Sequence, residues 1–72
     1  MSRVVALGED HRLVGFALAG VRVVRATTDA EIQRAWQRLD PDVGLVILSE
    51  FAAQRLGAAL DDRPDVLTAV LP

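Results

Sequence analysis

At 72 residues, with 51% apolar and 25% charged side chains, the chain has the balance of one compact globular domain spanning residues 1–72 rather than a disordered segment. Its net charge is −2, and all eight basic residues are arginines scattered among ten acids, so it lacks the concentrated basic stripe that nucleic-acid binding requires. With no cysteine and a single histidine, it has neither disulfides nor the ligands of a zinc centre.

The elements alternate along the chain. Val4 to Leu7 is a β-branched apolar run ending at Gly8, which reads as a first strand. Asp10 is placed to cap a helix from about His11 to Ala19, and Gly20 to end it. Val21 to Ala26 reads as a second strand. Thr28 and Glu31 have the spacing of a capping box, and the helix they open sets Ile32, Ala35, Trp36 and Leu39 on one stripe. Asp40-Pro41-Asp42 breaks that helix, and Val43 to Leu48 follows as the most apolar strand, suited to the middle of a parallel sheet. Ser49 caps a third helix with Ala52, Ala53, Leu56, Ala59 and Leu60 facing inward. After Arg63-Pro64-Asp65, Val66 to Leu71 is a fourth strand.

Strands joined through helices pair in parallel, because each strand returns by a crossover. The expected fold is therefore a small, doubly wound α/β domain, Rossmann-like or flavodoxin-like, with strand order 2-1-3-4 and three crossover helices. Crossovers are right-handed. In this order the first helix lies alone on one face, and the other two cover the opposite face. A parallel sheet with one half-bare face calls for something else to lie there.

The first helix fits that expectation. Leu13 to Ala19 contains no polar side chain, more apolar arc than the roughly 100° one buried face needs. Leu13, Ala17 and Leu18 are expected to pack inside the domain. Val14, Phe16 and the small-residue pair Gly15 and Ala19 are expected to meet a partner. No apolar run is long enough to span a bilayer, and no signal or transit pattern opens the chain.

Chemical motifs are weak. Gly15 and Gly20 have the separation of P-loop glycines, but Val21 and Arg22 stand where lysine and a hydroxyl are needed. Gly8 stands alone after the first strand, followed by Glu9 and Asp10, whose charge repels a pyrophosphate. Glu9 and Asp10 are similar to the acid pair of a response-regulator receiver, which makes a degenerate receiver-like signalling module the alternative reading. Ser49 replaces the receiver's aspartate, however, and the chain has no lysine. Glu9 is expected to be a solvated loop acid and His11 to be exposed. No catalytic group, cofactor, metal or small-molecule substrate is expected.

Val5-Ala6-Leu7-Gly8-Glu9-Asp10, followed by Val14-Gly15-Phe16-Ala17-Leu18-Ala19-Gly20-Val21, resembles the N-terminal signature of the F subunits of V/A-type rotary ATPases. Thr28 to Glu31 is similar to that family's second-helix start, and Gly44 to Glu50 to its third strand and turn. The resemblance implies a non-catalytic rotor subunit, cytoplasmic and peripheral to the membrane. Such a protein sits on the central stalk against the coiled-coil D subunit and helps couple ATP hydrolysis or synthesis to proton or other ion transport. It also implies a mobile C-terminal helix. Pro72 follows the fourth strand directly, so a C-terminally short member is expected.

Overall fold

A computed structural model describes residues 3–9 and 11–72, the side chains of residues 12, 14, 18 and 19 lying outside the description. The four strands, β1 (Arg3–Gly8), β2 (Arg22–Arg25), β3 (Val43–Leu48) and β4 (Leu67–Val70), form one parallel sheet in the order β2-β1-β3-β4. This is the order expected from the sequence.

Two α-helices, α1 (Asp29–Gln37) and α2 (Glu50–Leu56), pack on one face. The core there is built from Val5, Leu7, Val46 and Leu48 of the sheet against Ile32, Trp36, Ala52 and Leu56 of the helices. Val43 belongs to the same core, although an uninterrupted strand would turn it to the other face from Val46. A bulge resolves this: Arg3 pairs with Val43 and Val4 with Leu45, so Gly44 is passed over and the alternation shifts by one.

Helix α1 begins as its residues dictate. The Thr28 side chain accepts from the Glu31 N–H, and the Glu31 carboxylate accepts from the Thr28 N–H and from both the N–H and hydroxyl of Thr27. Its far end is held from a distance: the Arg63 guanidinium donates to the carbonyls of Gln37 and Leu39. Between them Trp36, 2% exposed, donates its indole N–H to the Ala59 carbonyl at 3.1 Å. One side chain thus ties α1 to the segment after α2.

Two of the three expected crossover helices differ in winding. The first, η1 (His11–Ala19), is a 3-10 helix, not an α-helix. It has Gly15 at its centre, no acid in its first turn and no base in its last turn, so it has little of what favours α-winding. At about 2.0 Å per residue, 3-10 winding also carries the same residues farther across the sheet. It ends as expected at Gly20, whose φ is 84°. The Val21 N–H bonds to the Phe16 carbonyl and the Gly20 N–H to the Ala17 carbonyl, the two bonds of a Schellman motif. The third helix does not run unbroken to Leu60. It stops at Gly57, with φ 50°, and continues as a second 3-10 segment, η2 (Gly57–Asp62). Asp10, expected to cap the first helix, lies outside the described residues.

Trp36→Ala removes a buried ring and its hydrogen bond, and is expected to cost about 3–5 kcal/mol in urea denaturation. Glu31 has its carboxyl pKa held below the ordinary 4.5, first by the Thr27 N–H and then by the Thr27 hydroxyl. The charged form favours the folded state, so its contribution is present above the ordinary value and lost as pH falls through the lowered one. Wild type should therefore exceed Glu31→Gln in stability near neutral pH, and the gap should close as pH falls below the ordinary 4.5 and through the lowered value.

Candidate functional site: a closed crevice and an open apolar face

Ligands of open α/β sheets bind beyond the carboxyl ends of the strands, where the strand order reverses. Here that point lies between β1 and β3, and protein fills it. Ser49 is 2% exposed; its N–H bonds to the Leu7 carbonyl at 3.1 Å, and its hydroxyl oxygen accepts from the Ala52 N–H at 3.1 Å, capping α2. A Cβ added to Gly8 would lie 2.2 Å from the Ser49 Oγ and 3.3 Å from Leu13 Cδ1. The Gly8 carbonyl is taken by the Ala26 N–H at 3.1 Å. Backbone and hydroxyl thus meet where a phosphate would need room.

Of the two acids beside this crevice, Asp10 lies outside the described residues. Glu9 is half-buried, not solvated as the sequence suggested, and its Oε1 is buried without a hydrogen-bond partner among the described residues. His11 is exposed. Among the described residues no three His, Cys, Asp or Glu side chains gather in a way that could hold a metal ion. Ser49, which takes the place of a receiver's aspartate, has its hydroxyl engaged in the helix cap.

The other face of the sheet is different. Val4, Ala6, Val23, Leu45, Ile47, Leu67 and Ala69 alternate with the core residues and so point away from α1 and α2. Among the described elements only η1 covers this face, and it packs on β1 and β2. Ala6 and Leu13, beneath and within it, are fully buried. Toward β3 and β4 the cover runs out: Leu45 and Ile47 are half-buried, Ala69 is exposed and Leu67 is 70% exposed. Their register, Leu45 beside Leu67 and Ile47 beside Ala69, makes one continuous apolar strip.

The chain is matched from residue 4 to residue 72 by the family model described as ATP synthase (F/14-kDa) subunit. The chain belongs to that family. It is thereby a subunit of a rotary ATPase, a component of a larger assembly, as the sequence resemblance implied. No curated protein matches it.

For an ATP synthase F-subunit family member, the surfaces of interest are those that can meet other subunits. Of the residues expected at an interface, Phe16 is half-buried in η1 and shares a ridge with Leu13, three positions earlier. Gly15 is exposed, with open space where a Cβ would stand. Val14 and Ala19 have side chains outside the described residues. In a winding of three residues per turn, positions 15 and 19 no longer lie one above the other as four-residue spacing suggested. Ala17, expected to be buried, is exposed. The sequence reading expected a half-bare face but named none of the β3 and β4 residues on it. Alternation within Leu45–Leu48 and Leu67–Val70, combined with the strand order, carried the signal.

The glycines offer a direct check. Gly8→Ala forces a Cβ into Ser49 and should cost about 2–4 kcal/mol. Gly15→Ala enters open space and should leave stability within about 1 kcal/mol of wild type, or raise it. Paired urea melts of the two variants measure the difference.

Proposed function

We propose that the chain is a non-catalytic central-stalk subunit of a V/A-type rotary ATPase, docking on the coiled-coil D subunit of the stalk. There it helps couple ATP hydrolysis or synthesis in the head to ion movement through the membrane rotor. The observation that carries the docking is the half-covered sheet face, where Leu67 stands 70% exposed beside half-buried Leu45. A coiled coil presents long ridges of side chains, which suit a shallow apolar strip bordered by one short helix. Phe16 and Gly15 on η1 are the border proposed for that surface, to which the sequence also assigned Val14 and Ala19.

The closed crevice at Gly8 and Ser49 supports a role without catalysis, since the usual ligand position of the fold is filled by the chain's own atoms. A location peripheral to the membrane on its cytoplasmic side accompanies this reading. No helix among the described residues is long and apolar enough to cross a membrane.

Leu67→Asp tests the docking face. The residue is too exposed for its loss to unfold the domain, so the melting temperature of the isolated chain should change little. Affinity for the co-expressed coiled-coil partner, read by titration calorimetry, should fall by about tenfold or more. Wild-type affinity in Leu67→Asp and in Phe16→Asp together would remove this face from the interface.

A further inference from the structure

A cleft of about 370 Å³ opens on the α1 side of the sheet, between the β2 edge and the last turns of α1. It lies on the opposite face from Leu67 and plays no part in the docking proposed above. Its floor is apolar, made by Val5, Val24, Leu39 and Val43. Its rim is cationic, with Arg22, Arg34 and Arg38 reaching it from two elements.

The rim also carries two acids, one engaged in the helix cap and one paired with Arg22. The Glu31 carboxylate is engaged by Thr27 and Thr28 in the helix cap. Asp40 Oδ2 stands 4.0 Å from Arg22 Nη1. Arg34 and Arg38, four residues apart on one side of α1, have no ion-pair partner among the described residues. Like charges at that spacing repel, so an anion between them relieves a strain present in the free chain. Two planar guanidinium groups also match the oxygens of a carboxylate or phosphate.

We propose that this cleft binds a small amphiphilic anion, its carboxylate or phosphate head held by Arg34 and Arg38 and its aliphatic body laid on the Val24–Leu39–Val43 floor. The arginines are exposed, and exposed guanidinium groups hold a bare anion only weakly in water. The apolar floor supplies what the rim cannot, and the cleft is in the size range that small ligands fill. Among the described residues lining the cleft, the two engaged carboxylates are the only groups that could act as a base, and the molecule is proposed as a ligand.

The test is a ¹H–¹⁵N titration of the full chain with sodium octanoate and, separately, octyl phosphate, with inorganic phosphate and octanol as half-ligands. Saturable shifts at Val24, Ala35, Leu39 and Val43 are expected with at least one of the two amphiphiles, and the tighter one identifies the head group. Each half-ligand should bind at least about tenfold more weakly, and Arg34→Gln/Arg38→Gln should weaken the amphiphile by about tenfold. If that variant does not fold, raising salt from about 0.05 to 0.5 M should weaken wild-type binding instead. The proposal is overturned by an absence of saturable shifts, by octanol binding as tightly as octanoate, or by affinity indifferent to both arginines and salt. It is equally overturned if only an acidic peptide of alternating Glu and Leu moves these amides, since the cleft would then be a protein contact. Because the cleft and the Leu67 strip are on opposite faces, failure here leaves the stalk reading standing, and the reverse also holds.

Discussion

The handedness of the crossovers governs this domain. Three right-handed returns through a sheet ordered β2-β1-β3-β4 leave no freedom about which face each connecting segment takes. The step from β1 to β2 runs one way and the two later steps run the other, so α1 and α2 share one face and η1 stands alone on the other. Among the described residues no second helix joins η1 on that face. The asymmetry is therefore built into the topology, and the exposed Leu67 beside half-buried Leu45 is its visible consequence.

A second close contact decides what kind of site the fold can offer. Gly8 and Ser49 meet across the strand tips with no room for even a methyl group between them. The contact packs β1 against the start of α2, and the serine hydroxyl caps that helix in the same stroke. It also occupies the crevice where related architectures hold nucleotides or phosphates. In this member of the ATP synthase F-subunit family that crevice is closed by the chain's own atoms.

How far the residues alone foretold this depends on the scale of the interaction. The Thr28–Glu31 box, the Ile32–Trp36 stripe, the Ser49 cap and the terminal Gly20 are set by neighbours a few positions apart, and each is legible in the sequence. The strand order was legible as well, because handedness and alternating elements leave few topologies. The winding of η1 was not, since an apolar segment centred on Gly15 satisfies a helical pattern whether it turns three or 3.6 residues at a time. The break at Gly57 resembles any mid-helix glycine until its positive φ is seen. The arginine-rimmed cleft was invisible for a different reason. Arg22 and Arg34 line one cleft only once α1 is laid beside the sheet.

Hydrogen–deuterium exchange on the isolated chain, and on the chain bound to its coiled-coil stalk partner, tests the central claim most directly. If the open face is completed by another polypeptide, amides of β4 and of Leu45 to Ile47 exchange readily in the free chain and become protected in the complex, while α1 changes little. Protection confined to α1 and α2, with β4 unaffected, would contradict the account.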